Sequence, residues 1–368
     1  MMSALTSTIK QGPRARSRAL RGRLVAKLLT GAWRKRPPAP ESSPQELAEI
    51  ASLLLSSGAG SLAWCRVRDS DLRTLPAAYR FRQEYRIHSL QAALHHRSLK
   101  KIIPLLRTAG VEPVLVKGWA IARLYPELGM RPYTDIDLCV TSDHYSRAAT
   151  VLKSPNGRGC DVDLHVGFSK FYRSETEDVF EHSELVRLDD LEVRVPSSED
   201  HLRFLCTHLL RHGAVRPLWL CDIALLVETR RDGFDWDRCL AGSRRQADWI
   251  ACVIGLAHQL LGVEVNQTPV AQRAKNLPRW MVPAVLKEWG IPYSFPAQVE
   301  VYLRSPFRMW RGLLRELPRH WPNPIEATTS VQGAFNNAPR LPFQLGHVAS
   351  RSAALLGHLP GLLSRRSS

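Results

Sequence analysis

Leu115-Val116-Lys117-Gly118 and, after twelve intervening residues, Arg131-Pro132-Tyr133-Thr134-Asp135-Ile136-Asp137-Leu138 decide how this chain is read. A β-branched run, Val111 to Val116, reads as a short buried strand, and Gly118 opens a helix. Asp135 to Val140 reads as a second strand. Side chains alternate along a strand, so Asp135 and Asp137 fall on one face and Ile136 and Leu138 on the core face. Two adjacent carboxylates repel unless a cation stands between them, and paired Asp residues are natural ligands for Mg²⁺. A third strand, Cys160 to Val166, carries Asp161, Asp163 and His165 on one face. The turn chemistry at Pro155–Gly157 is expected to return it beside the second strand. A third carboxylate from this strand would then complete a site for two metal ions about 4 Å apart, the arrangement that clamps an in-line phosphoryl displacement. Glycine lets backbone N–H groups approach phosphate and Lys117 adds a point charge. Arg131 is expected either to clamp a phosphate or to brace the Asp loop.

An Asp-x-Asp alone occurs by chance in many chains. Its order after Lys117-Gly118, Leu124-Tyr125-Pro126 and Arg131 is far more specific. The segment Leu115–Val140, followed by Val162-Asp163-Leu164-His165, resembles the nucleotidyltransferases of the DNA-polymerase-β-like superfamily. It is most similar to the bacterial uncharacterised nucleotidyltransferase family; abortive-infection nucleotidyltransferase toxins carry a related pattern. The resemblance implies transfer of a nucleotidyl group from an NTP. Asp135, Asp137 and Asp163 would bind two Mg²⁺ ions, with Mn²⁺ as the alternative, and Asp163 would help activate the acceptor. Lys117, Gly118, Arg131 and Thr134 would hold the nucleotide. The chain departs from the common Gly-Ser or Gly-Gly pattern with Lys-Gly-Trp. That departure motivates a second reading, a catalytically weak scaffold that binds nucleotide or docks at a membrane. A third is a toxin that modifies tRNA.

The fold class expected is α+β: a small mixed sheet flanked by helices, then a largely helical C-terminal half. Helices are expected at Gln45–Leu55, Tyr79–Ala109, Asp143–Leu152, Ser198–His212, Pro217–Glu228, Trp236–Ala247, Trp249–Leu261, Val282–Trp289, Gln298–Leu317 and Val348–Leu363, the last broken at Pro360. A fourth strand is expected at Leu191–Val195, and loops at Ser57–Ser61 and over 318–342. The divisions expected are a leader (1–43), a nucleotidyltransferase-like unit (44–196), a helical domain (197–320) and a C-terminal segment (321–368). In the helical half, His208 and His212 share a helix face, with Asp222 on the next helix. These three would form a base or acceptor pocket, or a buried polar network joining two helices.

The 368 residues carry a net charge of +17, and it is uneven. Residues 1–40 hold ten Lys/Arg and no acid, and 301–368 hold nine Arg against two Glu, so 41–300 are neutral. The pI is therefore no argument for a nucleic-acid binder as a whole. The leader repeats Leu20, Leu24, Val25, Leu28 and Leu29 at helical spacing among arginines. It reads as a solvated tail, or as an amphipathic helix touching an anionic membrane or RNA; an acid-free, Arg-rich start also resembles an organellar transit segment. The stripe of Trp310, Trp321 and the arginines of 304–319 reads as a packed helix or a nucleic-acid contact. Seven cysteines with no Cys-x-x-Cys pair argue against a zinc ribbon or disulfide framework and for a reducing, cytoplasmic setting. No apolar run is long enough to span a membrane.

Overall fold

The computed structural model describes residues 13–168, 176–293 and 321–364. The chain begins with α1 (Pro13–Leu29), α2 (Pro44–Ser56), α3 (Gly60–Val67) and α4 (Pro76–Thr108). The sheet region follows: β1 (Val114–Val116), α5 (Gly118–Ala122), β2 (Ile136–Val140), α6 (Ser142–Lys153), β3 (Val162–Val166), α7 (Thr176–Glu181), β4 (Glu184–Leu188) and β5 (Leu191–Val195). Helices complete it: α8 (Ser198–Arg211), α9 (Pro217–Glu228), α10 (Trp236–Leu240), α11 (Arg244–Leu261), α12 (Ala271–Lys275), α13 (Met281–Trp289), α14 (Pro324–Ser330) and α15 (Leu341–Ser364). The protein is thus a mixed α/β fold with a helical C-terminal half, as expected.

The five strands lie in the order β3-β2-β1-β5-β4. β2 runs antiparallel to β1 and parallel to β3, while β5 is parallel to β1 and antiparallel to β4. One sheet face packs Leu115, Ile136, Leu138 and Val193 on Leu99, Ile102 and Ile103 of α4. The other carries Val114, Val116 and Cys139 against Phe168 and Phe204, the latter on α8. The parallel pair β2–β3 needs a crossover, and α6 supplies it. β2 and β3 register Asp137 opposite Asp163 and Cys139 opposite His165. Both acids therefore lie on the sheet face that α8 covers.

Over its described residues, from 13 on, the leader differs from a tail or a surface-lying helix. Leu24, Val25, Leu28 and Leu29 are buried with Trp33 in the large helical core beside Met281, Val285 and Leu286 of α13; Leu20 alone of that stripe stays exposed. α1 and α13 approach so closely that a Cβ at Gly22 would collide with the Leu286 carbonyl, and one at Gly290 with that of Arg18. Trp33 and Arg34 both donate to Glu228 at the end of α9. The apolar face is occupied by protein, while Arg18 and Arg23 are exposed.

Other differences have local causes. The helix expected over Trp236–Ala247 ends at Leu240, because Ser243 and Gln246 form a reciprocal capping box that starts α11 afresh. The loop expected over 318–342 contains α14, capped by the Asn323 side chain. Helix α3 starts inside the expected Ser57–Ser61 loop, and α15 runs through Pro360. The helix expected at Gln298–Leu317 and most of the Trp/Arg stripe lie outside the described residues. None of the described helices is long and apolar enough to cross a membrane.

Candidate active site

The acidic cluster grows directly from the β2–β3 register. His165 Nε2 lies 2.9 Å from Asp137 Oδ1 and 3.2 Å from Asp163 Oδ2. Ligand atoms of Asp137, Asp163 and His165 all lie within 4.8 Å of one another, a donor set with the reach to hold a divalent ion. Two carboxylates suit Mg²⁺ or Mn²⁺. Asp137 is buried and Asp163 is half-exposed, with side-chain exposures of 8% and 49%. Asp135 precedes β2 and stands outside this trio. It lines an open depression with Thr134, Asp161 and Asp163, and the Thr134 hydroxyl lies 3.4 Å from its carboxylate.

Lys117 ends β1 on the same sheet edge, with Nζ 3.8 Å from Asp137 Oδ1. Its backbone sits at φ 48° and ψ −134°, a conformation that costs a non-glycine residue of order 1–3 kcal/mol. Gly118 follows at φ 25°, and a Cβ there would press on the Asp135 carbonyl at 3.2 Å and the Tyr133 ring at 3.4 Å. The turn is thus laid directly against the Asp-x-Asp segment, and only glycine fits at its second position.

Arg131 takes the bracing option. Its guanidinium grips Asp222 on α9 through Nε and Nη2, at 3.3 and 2.9 Å, and Asp222 also accepts from Tyr125 Oη at 2.9 Å. All three side chains are buried. Asp222 therefore bonds the sheet region and no histidine. His208 and His212 pack on Trp219 instead, at ring-centroid distances of 4.5 and 5.3 Å, with Arg216 over the same indole at 5.1 Å. Burial, with the nearby charge of Lys117 next, holds both histidines below the usual imidazole range.

Two residues escaped the sequence reading. Arg123 caps the C-terminal end of α5, and its Nε is buried with no hydrogen-bond partner among the described residues. The nearest acid acting on it is Glu184, which is engaged by Arg231. His201, in the first turn of α8, is fully buried with Nε2 unpartnered. Burial, then the charges of Arg123, Arg131 and Lys117, push it down to about 3. The charges of Arg123, Arg131 and Lys117 thus converge on His201, while the carboxylates lie on β2 and β3. A lone half-buried arginine and a lone histidine carry no sequence signal; only the topology assembles them.

The histidines set an acid limit on stability. His201 is neutral when folded but protonates near pH 6.5 when unfolded. Its contribution is intact above that pH and falls as pH drops, by about 2 kcal/mol between pH 6.5 and 5. Urea unfolding at pH 7 and 5 should show this loss, and His201→Gln should reduce it. An identical loss in the variant would refute the assignment.

Residues 43–262 match the family model described as an uncharacterised nucleotidyltransferase, more than half of the chain. The chain belongs to that family and is a nucleotidyltransferase, with a nucleotide as substrate. No curated protein and no solved structure matches it.

Proposed function

We propose that the chain moves a nucleotidyl group from an NTP to an acceptor hydroxyl, with a divalent cation, Mg²⁺ or Mn²⁺, held by Asp137 and Asp163 and assisted by Asp135. The observation that carries this reading is the convergence of Asp137, Asp163 and His165 at one sheet edge beside the Lys117–Gly118 turn. When bound, the cation supplies charge neutralisation at the phosphates. The acceptor oxygen attacks the α-phosphorus, the bond to the bridging oxygen breaks, and pyrophosphate leaves with the electron pair. Asp163, more exposed than Asp137, takes the acceptor's proton. His165 holds both carboxylates in register. Lys117 and Arg123 meet the phosphate tail. Arg131 acts from behind, by fixing the segment that carries Asp135 and Asp137.

NTP consumption by the purified protein, compared with Asp135→Ala and Asp137→Ala, tests the proposal; equal turnover in all three would end it. Arg123→Gln is expected to raise the KM for NTP by about 10- to 100-fold, the worth of a charge-assisted hydrogen bond. It should leave the melting temperature nearly unchanged, because the half-buried side chain has a buried Nε with no hydrogen bond to lose. An unaltered KM would remove Arg123 from the site.

A further inference from the structure

The 33-residue α4 presents an outward face that nothing described covers. Ile87, Leu90 and Leu94 lie on it at i, i+3 and i+7, with exposures of 51%, 64% and 56%. Arg82, Arg86, Arg97 and Lys101 are exposed around them. At 100° per residue, Arg86, Arg97 and Lys101 fall within half a right angle of Leu90, so cations and apolar groups interleave on one stripe. The helix contains a single acid, Glu84, which lies on its flank 3.4 Å from His88. Asp189 and Asp190 reach the helix at Lys100, on the stripe's edge, and Asp189 also at His96, beyond it. The opposite face, with Leu99, Ile102 and Ile103, packs on the sheet, so α4 is held rigidly with this stripe outward.

The chemistry of the stripe selects its occupant. A nucleic acid would meet the cations but leave Ile87, Leu90 and Leu94 in water. A second copy would set arginine against arginine. An anionic lipid surface satisfies both halves: the apolar groups enter the acyl boundary while the cations sit among headgroup phosphates. We propose that α4 docks the enzyme on an anionic membrane surface, lying in the plane of the interface. The attachment is independent of the catalytic reading and lies in the middle of the chain, away from the basic ends.

Flotation of the full-length protein with vesicles tests this. Phosphatidylcholine vesicles containing phosphatidylglycerol should carry the protein, pure phosphatidylcholine vesicles should not, and high salt should release it. Arg86→Gln with Arg97→Gln should weaken partitioning roughly 30-fold, from about 1 kcal/mol per cation removed. Leu90→Glu with Leu94→Glu should abolish it. Both pairs are exposed, so circular dichroism and melting should match wild type. Failure of wild type to float with the anionic vesicles, or undiminished flotation of both variants, overturns the proposal. So does a dimer in gel filtration that Leu90→Glu dissociates, or capture by an acidic protein without vesicle binding.

Discussion

Asp137→Asn should abolish nucleotidyl transfer, lowering kcat by about three orders of magnitude or more, since a bound cation is worth several kcal/mol of transition-state charge stabilisation. Asp137 is the hub of the acidic cluster: buried, bonded to His165 and approached by Lys117. The amide keeps its shape and removes only the charge, so the variant separates chemistry from packing. Asp163→Asn should cost less stability, because that side chain is half-exposed, yet remove comparable activity. A binding readout accompanies the rate. Ligands that favour the folded state raise the melting temperature by mass action, so Mn²⁺ or Mg²⁺ should stabilise wild type and leave Asp137→Asn unmoved. Turnover within tenfold of wild type in Asp137→Asn, or equal stabilisation by metal, would dismantle the proposed cation site.

How far sequence reached this site depends on the range of the interactions. The alternation Asp135-Ile136-Asp137-Leu138 obeys the period-two rule, so its division into an acidic and a core face was legible. Helix α9 begins at Pro217 and ends at Glu228 as read, because a proline sets its first turn. The Arg131–Asp222 pair spans 91 residues, so neither partner could be assigned from local pattern. The same holds for Arg123 and His201, 78 residues apart in sequence, whose electrostatic coupling exists only in the folded chain. Strand β4, Glu-Leu-Val-Arg-Leu, escaped because it is a short edge strand with alternating half-exposed positions. The leader misled for a third reason. Its arginines dominate its composition, while four buried residues, Leu24, Val25, Leu28 and Leu29, decide its place. Long basic side chains keep their charges in water while their stems cover apolar surface, so charge density is a poor guide to burial.

Asp222→Ala should destabilise the fold by about 3–5 kcal/mol, the largest stability effect expected in this protein, because it leaves the Arg131 guanidinium buried without a counter-charge. The phenol of Tyr125 loses its acceptor in the same change. Arg131→Ala should cost a similar amount by stranding the carboxylate. Restoring an apolar interior should reverse the loss: Arg131→Met, Asp222→Leu and Tyr125→Phe together replace the network with packed hydrocarbon, which in comparable cases is neutral or stabilising. Denaturant unfolding measures all three variants. The triple variant also decides what Arg131 does. If it only braces the segment before Asp135, the repacked protein regains both stability and most of its transfer activity. If its guanidinium also engages phosphate during the reaction, stability returns while the KM for NTP stays raised. The bidentate grip on Asp222, with both side chains at 8% exposure or less, favours the first result: a guanidinium already spent on a buried carboxylate has little left to offer a substrate.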